Sequence, residues 1–531
     1  MKLSFRWSNA CLALCLSAAT ALPGTAGAQV SAFSQSLATA AASDRDIAAF
    51  YQANGYEGIW TGADDKARRA ALIDAFERAS DHGLPAAQFD AGQLTARMRA
   101  ATTPEEIGAL EVEMSKLYLT YARGLQTGIL TPSRIDDGIK REVPYRARVS
   151  YLTNLAKSSP RAFFNALAPR TPEYARLMKE KMRLERLLAR GGWGPKVAGS
   201  KFEPGMSGPA VVALRDRLTE MGFMQRSASP NYDSALTAAV VAFQGAHGLS
   251  QDGVAGSGTL AEINTSTEVR LQSVIVAMER ERWLNRPRGQ RHVLVNLTDF
   301  KARIIDNNAV TFETRSVIGA NTSDRRSPEF SDVMEFMVVN PSWYVPRSIA
   351  TKEYLPMLQK NPNAVRHLEI TDRSGRQINR SAVDFTQFTQ SSFPFSMREP
   401  PSQGNALGLV KFMFPNHYNI YLHDTPAKSL FSRESRAFSH GCIRLADPME
   451  FAYALLAKQT SNPQEYFQSI LNTGREKRVN LKEPVPVHII YRTAYTQAKG
   501  PMQYRRDVYG RDAKIWRALA NEGVVLRAVQ G

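Results

Sequence analysis

The sequence predicts a multidomain protein with a helical N-terminal part, a small three-helix unit and a mainly β C-terminal domain. At 531 residues the chain is too long for one hydrophobic core and corresponds to roughly two to four domains. Apolar residues recur at helical spacing up to about residue 190. Beyond about residue 290, short β-branched segments bounded by turn residues dominate, which is typical of strands.

Residues 1–28 have the features of a secretory signal peptide. Lys2 and Arg6 precede an apolar stretch over 10–22, and Ala26-Gly27-Ala28 forms a small-x-small cleavage pattern. The stretch is shorter than the roughly 20 apolar residues that cross a bilayer, and no later segment reaches that length. We therefore expect an exported, soluble protein without a membrane span.

Removal of this segment leaves Cys442 as the only cysteine. Cys11 and Cys15 lie inside the signal segment, and the large Leu14 disfavours a lipid anchor on Cys15. Exported proteins usually carry their cysteines in pairs, as disulfides. A single thiol has no intramolecular partner, so a chemical role explains Cys442 better than a structural one.

The formal net charge is +17, and it becomes +15 without Lys2 and Arg6. Such an excess favours a polyanionic partner. For an exported protein the candidates are an anionic membrane surface and carboxylate-rich peptidoglycan. The export signal and the lack of a nucleic-acid motif argue against nucleic acid. A dispersed, solvated distribution of charge is the alternative interpretation.

The region 29–195 is expected to be a helical scaffold. Apolar residues recur at helical spacing in 70–76 and 117–122, and a basic helix over 176–187 ends at Gly191-Gly192. The linker that follows, up to Pro209, is rich in Gly and Pro. It marks the clearest domain boundary in the chain.

A compact unit over 205–265 has its own motifs. Helices are expected around 211–218, 239–244 and 259–263, separated by glycine turns. The unit resembles the small three-helix peptidoglycan-binding domain, whose features G-x-x-G-x-x-V-x-x-L, F-Q-x-x-x-G-L and D-G-x-x-G-x-x-T all occur here. The resemblance implies association with the cell wall. A helical bundle without a ligand is the alternative.

The C-terminal part begins with a connecting segment, 266–290, in which a polar-faced helix is expected over 267–284. A long polar insertion containing Pro, at about 350–402, interrupts the strands that follow, and insertions of that length near an active site are often lids. Residues 499–531 are expected to form a C-terminal helical tail without assigned chemistry. The segments expected to be strands are 292–297, 302–305, 314–319, 334–339, 408–414, 419–423 and 485–491.

Cys442 follows Ser439-His440-Gly441, and His423 lies nineteen residues before it. A free thiol has a pKa near ~8.5 and needs a base to become a nucleophilic thiolate at neutral pH. His423 ends a strand-like segment, and a hairpin-sized loop can return it to Cys442, so we expect it to be the general base and acid. The backbone N–H groups of His440, Gly441 and Cys442 are expected to form an oxyanion hole. Gly441 permits the strained turn that this requires.

Two other interpretations fit the same residues. A cysteine buried in a sheet beside two incidental histidines would need no chemistry. Zinc held by His423, His440 and Cys442 is the second, although zinc usually takes a further ligand and no second cysteine can supply it. We expect neither a metal nor another cofactor.

The segment 421–445, from Tyr-Leu-His-Asp-Thr-Pro to Ser-His-Gly-Cys-Ile-Arg-Leu, resembles the signature of YkuD-type L,D-transpeptidases: a His, a loop, then S-H-G-C. The resemblance covers roughly 291–498 and implies a catalytic domain with a YkuD-like β-sandwich, capped by the insertion. Further segments similar to the family are 340–346, 409–412 and 486–488. The helical region resembles the scaffold of the large, YcbB-like members from Gram-negative bacteria, at Tyr51–Trp60 and His82-Gly83-Leu84. This implies a periplasmic protein.

The resemblance also implies a mechanism. Cys442 attacks the carbonyl of the third residue of a tetrapeptide stem and expels the terminal D-Ala. The side-chain amine of diaminopimelate on a neighbouring stem resolves the thioester, giving a 3→3 cross-link. The partners implied are peptidoglycan stem peptides and glycan, and carbapenems would acylate the same thiol.

Site roles follow from the same resemblance. The backbone carbonyl of Asp424 orients the His423 ring. Tyr421, Trp343, Arg444 and Ser439 line the substrate site, where Arg444 can face a carboxylate of the stem. Ordinary packing or a surface salt bridge is the alternative for Tyr421, Trp343 and Arg444.

The acceptor stays open at this point. The same site fits an L,D-carboxypeptidase, an enzyme that forms 1→3 cross-links, or one that tethers an outer-membrane protein to the wall. A non-catalytic wall-binding protein that uses 205–265 and its positive charge is a rival from another class. The intact motif around Cys442 argues against it.

Overall fold

The computed structural model describes residues 31–528. The predicted signal peptide lies outside the described residues. Within them the predicted fold class is confirmed: a helical N-terminal region, a small helical unit and a C-terminal domain built on one large mixed sheet. Each of the three has its own hydrophobic core, and a further core joins the helical region to the connecting helix and the tail.

The helices begin and end at recognisable local signals. Thr103 and Glu106 form a capping box with Pro104 between them, where one long helix begins. The α-helices are α1 (Ala32–Ala41), α2 (Arg45–Ala53), α3 (Lys66–Glu77), α4 (Ala91–Ala100), α5 (Pro104–Thr127), α6 (Arg148–Lys157), α7 (Pro160–Asn165), α8 (Pro172–Ala189), α9 (Pro209–Glu220), α10 (Ser234–His247), α11 (Ser257–Ile263), α12 (Thr267–Trp283), α13 (Arg347–Ile349), α14 (Leu355–Lys360), α15 (Pro448–Leu456), α16 (Pro463–Leu471) and α17 (Arg511–Asn521).

The strands follow α12 in the chain. They are β1 (Arg291–Asn296), β2 (Lys301–Asp306), β3 (Ala309–Gly319), β4 (Phe330–Val339), β5 (Trp343–Tyr344), β6 (Glu369–Thr371), β7 (Ser396–Glu399), β8 (Val410–Met413), β9 (Leu422–His423), β10 (Ala437–Ser439), β11 (Ile443–Leu445), β12 (Lys477–Ile490), β13 (Ala494–Tyr495) and β14 (Gln503–Tyr504).

Nine of these strands form one sheet, in the order β10-β3-β11-β9-β8-β4-β12-β1-β2. The long strand β3 pairs with β2 through its first part and with β11 through its last part, so the sheet folds back on itself. Strands that change partners in this way make the corners of sandwiches and barrels. The enclosed side chains include Val295, Met337, Phe412 and Leu422.

Two strands near the candidate site are shorter than predicted. The predicted strand over 419–423 is limited to β9, because Asn419 has a left-handed φ of 53° and Asn416 binds the backbone of Tyr418 and Ile420. The predicted strand over 408–414 begins only at Val410. Side-chain bonds to the backbone compete with sheet pairing, which explains the early loop.

The insertion is more structured than its polar sequence suggests. It contributes β6 and β7 to a separate three-stranded sheet, in which the central strand β7 pairs with both β5 and β6. It also has its own core, which includes Leu358, Ile370, Phe385 and Phe393. A helical run from α13 through a π-helical turn, Ala350–Tyr354, to α14 begins it. Whether the insertion moves as a lid stays a prediction.

Helix α12 forms where it was predicted, and its polar face is buried. Glu279, Arg280, Glu281 and Arg282 are at most 3% exposed. Each charge is paired inside the protein: Arg280, for example, bridges Glu329 of the sheet domain and Asp512 of the tail, with N–O distances of 2.7 Å in both cases. The charged residues are therefore internal contacts between domains.

The tail begins as a strand rather than a helix. Its residues Gln503–Tyr504 pair with β13, and its helix starts at Arg511, after Gly510. Arg511 is fully buried and contacts Glu329 and Asp136. Among residues 31–528, no helix has the length and apolar character needed to cross a membrane.

The buried contacts of Arg280 predict a large loss of stability. Arg280→Ala leaves the carboxylates of Glu329 and Asp512 buried beside a missing charge, so the free energy of unfolding should fall by about 3–5 kcal/mol. Arg161→Ala removes an arginine whose side chain is 80% exposed in its pair with Asp74, and should cost no more than about 1 kcal/mol. Urea unfolding of both variants measures the two changes in the free energy of unfolding. Equal losses of stability in Arg280→Ala and Arg161→Ala would contradict the prediction.

Candidate active site

The pairing of β9 and β11 places four of the predicted site residues on one face of the sheet. The strands are parallel, with Leu422 opposite Ile443 and His423 opposite Arg444. Leu422 and Ile443 point into the core. Because side chains alternate along a strand, Tyr421, His423, Cys442 and Arg444 share the opposite face. The sequence predicted that His423 would return to Cys442 through a hairpin-sized loop, whereas the two strands run parallel.

The Cys442 sulfur is half-buried between two neighbours. The thiol donates to the backbone carbonyl of Asn419, with an S–O distance of 3.4 Å. The hydroxyl of Tyr421 lies within hydrogen-bonding reach on another side. Burial raises the pKa of the Cys442 thiol to about 11, although Tyr421 and Arg444 favour the thiolate. The resting nucleophile is therefore a protonated thiol.

His423 is buried and held through one ring nitrogen. Its Nδ1 lies 2.5 Å from the backbone carbonyl of Asp424, which requires Nδ1 to carry the proton and leaves Nε2 as an acceptor. Burial and the positive charge of Arg444 lower the pKa of His423 to about 3. The imidazole is therefore neutral at physiological pH and able to accept a proton.

The carboxylate of Asp424 secures the same segment. It accepts hydrogen bonds from the backbone N–H of Leu409, at 2.9 Å, and from Lys428 Nζ, at 2.7 Å. It lies against Gly408, where any Cβ would come within 2.3 Å of the carboxylate. Gly408 also has a φ of 61°. The position thus requires glycine, and this close packing fixes the carbonyl that holds His423.

The turn that carries Cys442 is held from within. Gly441 has a φ of 117°, in the region that favours glycine. Its N–H donates to Ser439 Oγ at 3.1 Å, and Ser439 Oγ donates to the Cys442 carbonyl at 2.5 Å. Ser327 Oγ donates to the Gly441 carbonyl at 2.5 Å. Ser439 is 1% exposed, so these contacts favour a positioning role over the substrate contact expected of it.

These contacts remove one of the three backbone N–H groups that were expected to form the oxyanion hole. The Gly441 N–H is used inside the turn. The N–H groups of His440 and Cys442 donate no hydrogen bond within residues 31–528. These two groups are therefore the donors left for a developing oxyanion.

The ring of His440 points away from the thiol. Its Nε2 lies 2.6 Å from Glu353 Oε1, and the same oxygen accepts from Arg325 Nη2 at 2.7 Å. Glu353 belongs to the insertion, so this contact ties the insertion to the catalytic turn. Within the part of the chain that the structure describes, no three His, Cys, Asp or Glu side chains are grouped as metal ligands, so the zinc arrangement is not formed.

Tyr421 links the insertion to the sulfur. The Trp343 side chain is within hydrogen-bonding reach of the Tyr421 hydroxyl, which in turn faces Cys442. Trp343 is 9% exposed and packs with Ile349 and Leu407. Burial and the neighbouring sulfur hold the pKa of Tyr421 well above its usual 10. Trp343 thus reaches the thiol through Tyr421.

Arg444 is half-buried beside His423 and Cys442. Burial lowers the pKa of its guanidinium, and the sulfur opposes that effect. Its Nε is buried without a hydrogen-bond partner among the described residues. A buried donor without a partner is costly and is suited to an anionic ligand.

Sequence reasoning missed three contacts of the site: Asn419, Ser327 and Glu353. Asn419 contributes a backbone carbonyl, for which the residue type gives no signal. Ser327 and Glu353 lie 115 and 89 residues before Cys442 in the sequence. No local motif connects such distant segments to the turn.

Three parts of the chain match known protein families. Residues 45–180 match a family described as "Scaffold domain", and 207–263 match one described as "Putative peptidoglycan binding domain". Residues 290–487 match the YkuD family, described as "L,D-transpeptidase catalytic domain". In these residues the chain is similar to YkuD catalytic domains. Cys442, His423 and their neighbours all lie within the matched residues.

A curated relative from Haemophilus influenzae (strain ATCC 51907 / DSM 11121 / KW20 / Rd) is named "Putative L,D-transpeptidase". It is 28% identical over 270 residues, which cover 50% of this chain and 54% of that protein. The chain thus spans about half the length of the curated relative it matches.

Two solved structures were compared with the chain. One is the L,D-transpeptidase (residues 123–326) from Xylanimonas cellulosilytica DSM 15894, with 16% identity, a TM-score of 0.17 and coverage of 56% of this chain and all of that one. The other is a fused Zn-dependent amidase/peptidase/peptidoglycan-binding domain-containing protein from Clostridium acetobutylicum ATCC 824. It has 12% identity and a TM-score of 0.16, and the match covers 55% of this chain and 100% of that one. At these TM-scores neither likeness carries an argument.

The two pKa values predict how Cys442 reacts with alkylating agents. The pKa of the Cys442 thiol is about 11 and the pKa of the His423 imidazole is about 3, so both groups are neutral at any pH between these two values. They do not form a thiolate–imidazolium pair there. The rate of alkylation by iodoacetamide should therefore rise about tenfold per pH unit from pH 7 to 10. Mass spectrometry of the modified protein measures it, with Cys442→Ala to subtract other sites. A rate that is constant from pH 5 to 8 would contradict the prediction.

Proposed function

We propose that this protein is a periplasmic cysteine L,D-transpeptidase that forms 3→3 cross-links in peptidoglycan through a thioester on Cys442. The observation that carries the proposal is the shared sheet face of Cys442, His423, Tyr421 and Arg444, inside a domain that matches the YkuD family. A nucleophile, a neutral base and an unpartnered cation are the groups that acyl transfer from an anionic peptide needs.

In the first half-reaction, Cys442 attacks the carbonyl of the third residue of a tetrapeptide stem. His423 takes the thiol proton through Nε2, since Nδ1 is occupied by the carbonyl of Asp424. The backbone N–H groups of His440 and Cys442 stabilise the oxyanion. The C–N bond to the terminal D-Ala breaks, its nitrogen takes the proton from His423, and the thioester remains.

In the second half-reaction, an amine attacks the thioester. The side-chain amine of diaminopimelate on another stem forms the new C–N bond, and the C–S bond breaks. His423 accepts a proton from the amine and returns one to the sulfur. Arg444 binds a carboxylate of the donor stem, and Tyr421 positions the sulfur.

The other domains support this assignment. Residues 207–263 match a peptidoglycan-binding family, and the excess of Lys and Arg suits a carboxylate-rich polymer. Export by the segment 1–28 would bring the protein to that polymer. Carbapenems, which acylate nucleophiles of this kind, are the expected inhibitors.

Replacement of the nucleophile tests the proposal. Wild-type protein incubated with purified disaccharide-tetrapeptide should yield a dimer that has lost one D-Ala, and fragmentation should show a 3→3 bond. Cys442→Ala should yield neither dimer nor thioester, because no other thiol is present in residues 31–531. Mass spectrometry separates the outcomes: tripeptide alone would mean hydrolysis, and a 1→3 bond would overturn the acceptor chemistry.

Arg444 provides a second test, of donor binding. Arg444→Ala should raise KM for the tetrapeptide donor at least about tenfold, because hydrogen bonds to charged groups contribute about 1.5–3 kcal/mol. Arg444→Lys should recover part of this, since lysine keeps the charge without the two-pronged geometry. The exposed Arg433 offers a control in the same domain. An unchanged KM in Arg444→Ala would remove the residue from the donor site.

A further inference from the structure

A cleft of about 420 Å³ lies where the helical region meets the catalytic domain. The segment of the helical region between α5 and α6 forms one wall with Lys140 and Glu142, and Arg286 comes from the connecting segment. The catalytic domain supplies Asp332, His417 and Tyr418. Three parts of the chain therefore build this cleft together.

Backbone pairing fixes the position of the scaffold wall. The N–H of Glu329 donates to the Gly138 carbonyl at 2.7 Å, and the N–H of Lys140 donates to the Glu329 carbonyl at 2.8 Å. This short parallel bridge continues the sheet at the start of β4. The backbone thus fixes Lys140 at the start of β4, and its exposed side chain lines the same cleft as Asp332.

The charges of the cleft are of both signs, and of the four only Asp332 has a hydrogen-bond partner among the described residues, the N–H of Val333 at 2.8 Å. Within the described residues, the side chains of Lys140, Glu142 and Arg286 form none of the ion pairs or hydrogen bonds found elsewhere in the protein. Tyr418 is 40% exposed, and its ring packs edge-on against the ring of Phe330, with 5.0 Å between the ring centroids. Two cations, two carboxylates and an aromatic surface suit a ligand that is zwitterionic at one end and aliphatic beside it.

The cleft and the nucleophile share one loop. Tyr418 lines the cleft, and the next residue, Asn419, supplies the carbonyl that accepts the Cys442 thiol. Asn416 holds this loop through hydrogen bonds to the N–H groups of Tyr418 and Ile420. The sulfur also faces Tyr421, which packs against the Trp343 cluster together with Tyr354 of the insertion. The two neighbours of the thiol therefore lead to the cleft and to the insertion.

We propose that this cleft binds the acceptor stem, with Lys140 and Arg286 on the carboxylate of its diaminopimelate side chain and Asp332 and Glu142 on the adjacent ammonium. The inference rests on the proposed function and adds a role for the scaffold and connecting segments. The donor enters from the insertion side, where Trp343 and Tyr421 lie. The cleft then selects an amine that carries a carboxylate on the same carbon.

In the transfer step, the ammonium bound in the cleft becomes the attacking amine. The bound ammonium gives one proton to solvent, and the neutral amine nitrogen forms a C–N bond with the thioester carbonyl. The C–S bond breaks. The second proton lost by nitrogen passes through His423 to the sulfur, which restores the Cys442 thiol.

The experiment separates the two half-reactions. Disaccharide-tetrapeptide is the donor, and a diaminopimelate-ending tripeptide is the acceptor, either with its free side-chain carboxylate or with that carboxylate amidated. The variants are Lys140→Ala/Arg286→Ala and the charge-retaining Lys140→Arg/Arg286→Lys. Lys66→Ala removes an exposed lysine of the helical region outside the cleft, as control. D-Ala released in a single turnover without acceptor reports acylation.

In wild type and in Lys66→Ala, amidation of the acceptor should lower the ratio of dimer to hydrolysed tripeptide about tenfold. In Lys140→Ala/Arg286→Ala, that ratio should already be about tenfold lower, the acceptor KM should rise, and amidation should change it less than about twofold. The charge-retaining variant should recover most of the ratio.

Two results would overturn the inference. If amidation lowers the ratio equally in wild type and in the alanine double variant, these residues do not bind the acceptor carboxylate. If the double variant loses single-turnover D-Ala release in the same proportion as dimer, its defect is in the fold or in acylation. Absence of D-Ala release from the wild type would instead show that the proposed function itself fails.

Discussion

Glu329 is the residue at which four parts of the chain are tied together. Its backbone pairs with the segment of the helical region between α5 and α6, and its buried carboxylate receives Arg280 of α12 and Arg511 of the tail. A buried carboxylate is tolerated only when its charge and hydrogen-bonding capacity are satisfied. Both arginines must therefore be present together, which holds the connecting helix and the tail against the sheet.

This constraint extends to the nucleophile. Two residues before Glu329, the Ser327 hydroxyl donates to the carbonyl of Gly441. Arg511 donates to the Ser327 carbonyl at 3.0 Å, and Tyr509 of the tail accepts from its N–H at 3.3 Å. The tail, to which the sequence assigned no chemistry, thus supports the turn that carries Cys442. Glu329 also pairs with the scaffold wall of the proposed acceptor cleft.

The electrostatics of the site favour neutral reactants. Burial raises the pKa of Cys442 and lowers that of His423, and the charge of Arg444 adds to the second effect. In the proposed reaction, charge develops on both groups only as the proton moves, next to the backbone N–H groups of His440 and Cys442. Catalytic sites gain most from fixed dipoles that interact with charge formed in the transition state.

The order of domains and most strands followed from motifs and periodicity, and the same signals singled out Cys442 and His423 as candidate site residues. These signals are local: hydrophobic alternation, glycine turns and the S-H-G-C segment depend on neighbouring residues. The family resemblance also implied the Asp424 carbonyl beside His423, which the hydrogen bond reproduces in geometry, while its catalytic role stays a proposal. The burial of the charges of α12 did not follow from the sequence, because Glu-Arg-Glu-Arg is as typical of a solvated helix face as of a buried network.

By itself, then, the sequence determined which residues can do chemistry and which family the catalytic segment resembles. The tertiary structure alone decided how those residues are held: Gly441 amide inside its turn, His440 on Glu353, and Cys442 between Tyr421 and Asn419. It also brought Lys140 and Arg286 beside Tyr418. The physical reason is that these contacts join segments far apart in the chain. Their geometry depends on strand register and on buried charge pairing, which no local pattern encodes.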